Sequence, residues 1–174
     1  MRKTQFLHRV FLFSIYTCFW VFVTAQTPFQ NPLVFDMDDG LPENNIQILK
    51  IDEQGFAWVG TTNGLARLDG NQIIVYQNDE DDSTSIGGNF ILDIVPDLDN
   101  NKIWVAHTKG ISVLNLKTQT FYNYQHEEEN PFSIPKTMPE RLFKDKEGQL
   151  WLGFREAGLI RYRPEFDDFE HFLC

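Results

Sequence analysis

Between residues 45 and 172 short apolar runs alternate with polar turns, many of them bearing glycine. Runs of four to seven residues rich in β-branched and aromatic side chains predict strands rather than helices. The segment "DEQGFAWVGTTNGLARLDG" (52–70) is one such stretch: a turn signal, a run around Trp58, a glycine turn, a second run from Leu65 to Leu68 and a closing Asp-Gly. It predicts a β-hairpin, and the hairpin recurs. Trp58, Trp104 and Trp151 lie 46 and 47 residues apart, in "AWVGTTNGLARLDG", "IWVAHTKGISVLNL" and "LWLGFREAGLIRYRP". From Trp to the turn glycine takes six residues in the first two copies (Gly64, Gly110) and seven in the third (Gly158), an insertion around Glu156-Ala157.

The flanks repeat as well. Each Trp follows a polar turn (52–55, 97–101, 145–148), and each turn follows an apolar run, "NIQILKI" (45–51), "NFILDIV" (89–95) and "PERLFK" (139–144). Each hairpin is followed by an aromatic-ended run, "QIIVY" (72–76), "TFYNY" (120–124) and "FEHF" (169–172). A tandem unit of four short strands with this period is the mark of β-propeller blades. A small twisted sheet buries neither face alone, so blades stack face to face with a large aromatic filling each wedge. Trp58, Trp104 and Trp151 are accordingly read as core, and Gly64, Gly110 and Gly158 as turn residues. The fold class expected is all-β, a β-propeller of about three four-stranded antiparallel blades (36–77, 84–125, 133–173) within residues 26–174. One unpaired outer strand joins them, because Phe35 aligns with Tyr76, Tyr124 and Phe172 and places Leu33–Phe35 as the outermost strand of a blade whose other strands do not precede it.

The first repeat, "GLPENNIQILKIDEQGFAWVGTTNGLARLDG", resembles the two-component regulator propeller repeat. The resemblance rests on Gly40, Leu41, Asn44, Asp52, Gly55, Trp58, Val59, Gly60, Thr61, Gly64, Leu65, Arg67, Leu68 and Asp69. Later copies depart from it, with Ala106-His107 and Phe154-Arg155 around the Gly-Thr position, Ile111 for Leu and no glycine in the turn 97–101. The resemblance implies the extracytoplasmic sensor region of a hybrid two-component or sensor histidine kinase receptor, reporting a glycan or nutrient to a phosphorelay.

The amino terminus changes the compartment. "MRKTQFLHR", the uncharged "VFLFSIYTCFWVFV" and the small residues of "VTA" before Gln26 follow the order of a secretory signal peptide, residues 1–25. The rival readings are a retained anchor and, through Cys18, a lipoprotein; the 16 apolar residues from Val10 to Ala25 fall just short of a span. Export implies a periplasmic protein, membrane-tethered if it is part of a full receptor. After cleavage the charge is 12 Lys+Arg against 25 Asp+Glu, and only Cys174 remains. So acidic a surface argues against nucleic acid as a partner, and stability must come from burial rather than a disulfide.

A closed propeller takes roughly 4–8 blades. The chain is therefore read either as the first part of a longer receptor, meeting that receptor's remaining blades, or as a short protein whose ring is completed by a homo-oligomer. The loop-rich face holds Asp38–Asn44, Asn78–Gly88 and Gln125–Thr137, with the hairpin tips Thr61–Asn63, His107–Lys109 and Phe154–Ala157. On it, His107, Arg155, Glu156 and Asn63 are the candidate ligand-binding residues for an oligosaccharide or other small extracellular ligand, His107 and Arg155 being read alternatively as plain solvent-facing turn residues. No cofactor and no metal are expected, since the acidic runs 79–82 and 127–129 lack calcium-loop spacing and His107, His126 and His171 lack zinc spacing. Propellers also carry hydrolases and lyases; here the sequence offers only Asp93 with Glu140 as an acid pair, and no catalytic residue is assigned.

Overall fold

The computed structural model describes residues 34–70 and 72–172. The signal segment 1–25 and Leu33 lie outside the described residues. The twelve strands are β1 (Ile46–Ile51), β2 (Ala57–Thr61), β3 (Gly64–Leu68), β4 (Ile73–Tyr76), β5 (Ile91–Asp97), β6 (Lys102–His107), β7 (Gly110–Asn115), β8 (Thr120–Tyr124), β9 (Pro139–Lys144), β10 (Leu150–Phe154), β11 (Gly158–Arg163) and β12 (Asp168–Phe172). They form three four-stranded antiparallel sheets, each in chain order. The first strands β1, β5 and β9 are neighbours, so each sheet leads with its inner strand, as propeller blades do. The three sheets make an unclosed arc.

Register explains the spacing of the motif. Trp58 sits opposite Lys50 and Arg67, Trp104 opposite Val95 and Val113, and Trp151 opposite Phe143 and Arg161. In each hairpin the residue after the second strand donates its backbone N–H to the residue just ahead of the first: Thr62 to Asn45 at 3.3 Å, Thr108 to Phe90 at 3.2 Å, Arg155 to Met138 at 3.0 Å. Gly64 and Gly110 have φ of 137° and 144°, and a Cβ there would stand 2.9 and 2.6 Å from the carbonyl oxygens of Tyr76 and Tyr124. Only glycine fits both demands.

Successive faces pack by one rule. The Trp58 face of the first blade meets Ile91, Ile94, Val105, Leu114 and Phe121 of the second. The Trp104 face of the second meets Leu142, Leu152, Ile160, Tyr162 and Phe169 of the third. Each tryptophan also lies against the aromatic of its own outer strand, Tyr76, Tyr124 or Phe172, at ring separations of 6.3, 5.9 and 5.3 Å. Trp58 and Trp104 are 0% and 2% exposed, whereas Trp151 is half-buried. Its face has no further sheet on it among the described residues, so its full burial as core is not realised here. Val34 and Phe35, expected in an outer strand, are not in a strand.

Candidate functional site

The second-to-third hairpins and the long connections between blades share one edge of the arc. His107 closes β6 there, and the expectation that it faces solvent is corrected: it is 1% exposed. The Ser112 hydroxyl donates to Asn123 Oδ1 at 2.6 Å and accepts from the backbone N–H of Gly87 at 3.0 Å. With that proton spent, the 2.8 Å contact to His107 Nε2 requires Nε2–H to donate to the serine. Nδ1 accepts the N–H of Lys109 at 3.2 Å. Both ring nitrogens are occupied by a neutral imidazole. Burial first, and the Lys109 charge second, lower its pKa from 6.5 to about 4. The space comes from Gly88, where a Cβ would stand 2.7 Å from Nδ1.

Arg155, Glu156 and Asn63 are exposed. Phe154 pairs with Gly158, so the third hairpin has a three-residue tip, Arg155 to Ala157, and Glu156 takes a left-handed φ of 64°. This register corrects the Gly-Thr alignment: the third copy of that position is Gly153-Phe154, and Arg155 lies in the tip. Arg155 Nε donates to Glu140 Oε1 at 2.8 Å, and the Asn63 carbonyl accepts from Gln77 Nε2 at 2.7 Å. His107, Arg155 and Asn63 bond within or beside their own blades, so the structure does not gather the candidates into one cluster. Asp93 and Glu140 are each engaged by other partners. Asp93 is buried, its Oδ2 accepting the backbone N–H of Leu142 in the next blade at 2.9 Å, while Glu140 serves Arg155.

The connections themselves are built alike. Ser85 Oγ accepts from Asp79 N–H and donates to the Asp79 carbonyl at 2.9 and 3.0 Å, and Ser133 does the same for Glu127, at 3.1 Å each. The following Ile86 and Ile134 are buried. The acidic runs cap their own turns: Asp82 Oδ1 takes both Thr84 N–H and O–H, which lowers its pKa, and Glu128 pairs with Lys136 at 3.0 Å. His126 and His171 are held separately, by the carbonyls of Ile134 and Ser133.

On the opposite edge lies a lock that sequence reasoning missed. Trp58 Nε1 donates to Asp52 Oδ2 at 2.9 Å and Trp151 Nε1 to Asp145 Oδ2 at 2.7 Å, which together with backbone bonds lowers the Asp145 pKa. Arg67 and Arg161 lie over these tryptophans at 5.8 and 5.7 Å. Asp and Arg are thus both explained by the ring between them. The spacing of six from Asp to Trp, shared by the first and third copies, was the available signal.

Three sheets stacked inner strand to inner strand, each Trp face on the next blade's back, define a run of β-propeller blades. Residues 40–63 match the two component regulator propeller repeat. The first blade thus carries that repeat, and solved structures share the arrangement of the blades. The chain resembles the extracellular domain of the hybrid two component system BT3049 from B. thetaiotaomicron, with 27% identity and a TM-score of 0.75 over 81% of this chain and 20% of that one. It is 42% identical over 48 residues to Histidine kinase P4 of Formosa agariphila, covering 28% of this chain and 4% of the kinase. A streptogramin B lyase shares the fold alone, at 15% identity and a TM-score of 0.57 over 78% of this chain and 42% of the lyase. The chain spans a small part of these sensor relatives and is homologous to the extracellular region of two-component systems.

Proposed function

We propose that the chain is an exported, ligand-sensing propeller segment of a two-component receptor, with an oligosaccharide or related nutrient as its ligand and no catalytic role of its own. The observation that carries the reading is the 27% identity to an extracellular domain of a hybrid two component system, over 81% of the chain. The two outer faces of the arc, with exposed Leu49 and Ile51 on one and Phe143 and Leu159 on the other, are the surfaces that further blades of a receptor would cover.

Of the four candidate residues, Arg155, Glu156 and Asn63 are open to a ligand, and His107 acts only by holding the hairpin. Calorimetric titration of the chain with oligosaccharide fractions tests this. Saturable heat that Arg155→Ala weakens by about tenfold is the result expected for a lost charged hydrogen bond. Binding unchanged in Arg155→Ala, Glu156→Gln and Asn63→Ala removes this edge as the site, and no binding by any fraction contradicts the glycan reading.

A further inference from the structure

The edge that carries the Asp–Trp locks holds a cleft of about 410 Å³ between the second and third blades. That volume lies within the roughly 300–1,000 Å³ of small-molecule sites. The second blade differs here from the other two in three linked ways. Its turn is one residue longer, so seven positions separate Asp97 from Trp104, and Asp97 accepts instead from Asn100 Nδ2 at 2.9 Å and Lys144 Nζ at 2.6 Å. Val113 stands opposite Trp104 where arginines face the other tryptophans. The cation comes from Lys102, whose Nζ lies 5.8 Å from the Trp104 ring and 5.9 Å from that of Tyr162.

The consequence is a pair of donors with no acceptor. Trp104 Nε1 has no hydrogen-bond partner among the described residues, although the side chain is 98% buried and lines the cleft. It is not sealed off either: among the described residues the fully enclosed polar atoms without partners are Arg67 Nε and Thr137 Oγ1. Lys102 forms no ion pair within 4.0 Å among the described residues, whereas Arg161 and Arg163, on the same cleft, are matched by Glu170 at 2.6 Å and Asp168 at 2.7 Å. The exposed carboxylates of Glu147 and Glu165 stand at the rim.

We propose that this cleft binds a small carboxylate of sugar-acid size. Its carboxylate accepts from the Trp104 indole N–H and the Lys102 ammonium, a charge-assisted pairing, and its hydroxyls donate to Glu147 and Glu165. The rim carboxylates repel a doubly charged phosphate and tolerate a single charge placed deeper, beside lysine. The site lies at the opposite edge from Arg155, so its test is independent of the oligosaccharide titration.

The probe is D-glucuronate, added to the ¹⁵N-labelled chain at constant ionic strength, with D-glucose as the neutral control. The Trp104 indole resonance is expected to move saturably with glucuronate and not with glucose, while those of Trp58 and Trp151, locked to aspartates, stay in place. Lys102→Gln should weaken the response by about tenfold or more, the loss of one charged hydrogen bond, with the Trp58 and Trp151 resonances reporting that the fold is kept. A Trp104 resonance unmoved at millimolar glucuronate, an equal response to glucose, or an undiminished response in Lys102→Gln overturns the proposal.

Discussion

His107 shows how a side chain's direction decides its role. Three residues after Trp104 on the same strand, it must face away from the tryptophan, and that face of the second blade packs on the first. Thr61 and Phe154, at the same offset, are buried too. Counting by twos from the tryptophans would have placed it; comparing residue types at the hairpin could not. Its protonation follows from that burial. The unfolded chain takes up the proton near the ordinary 6.5 and the folded chain only near 4. The contribution is therefore full above about pH 6.5 and is lost as pH falls towards 4, by up to about 3 kcal/mol. Urea midpoints at pH 7 and 4.5 should drop further for the wild type than for His107→Thr, which carries the first blade's residue; equal drops would contradict the neutral buried imidazole. Glycine at Gly60 is fixed by packing: a Cβ there would stand 2.6 Å from Ile48 and Ile91, while at Gly153 the nearest atom is 3.9 Å away. Gly60→Ala should cost about 1–3 kcal/mol and Gly153→Ala well under 1 kcal/mol, measured by the same denaturation.

The strands, the hairpins and their order were legible because both the two-residue alternation and the 46–47-residue period survive changes of individual residues. The connections between blades were less so. Asp93 reads in sequence as an acid on an inner strand, yet it joins two blades by accepting Leu142 N–H. No local pattern reports a bond between residues 49 apart. Asp93→Ala should leave that buried N–H unsatisfied and destabilise the chain by about 2 kcal/mol, read from thermal and urea unfolding; an unchanged midpoint would show that the bond contributes nothing. The candidate site was the least legible part. Sequence marks the residues that depart from the repeat, but His107 departs to fill a core and Arg155 to pair with Glu140. At the opposite edge the longer turn before Trp104 is a departure of another kind, one that removes a partner rather than adding a group.

As a whole the molecule is a set of blades whose faces each expect a neighbour. Tyr76 OH reaches Gln119 in the next blade at 2.8 Å, and Tyr124 OH reaches Asp167 in the one after. Gln119 and Asp167 hold left-handed φ values of 59° and 55° in equivalent turns. Outer rims are therefore stitched as regularly as inner strands are packed, and the arc behaves as one stack rather than three hairpin sheets. The stack is homologous to the extracellular domain of a two-component system, and the proposed function requires export. The most direct test is to fuse alkaline phosphatase after Cys174 and express the full chain in a bacterium with a periplasm. Active phosphatase and a mature amino terminus at Gln26 are expected. Inactive phosphatase on a chain that keeps Met1 would contradict export.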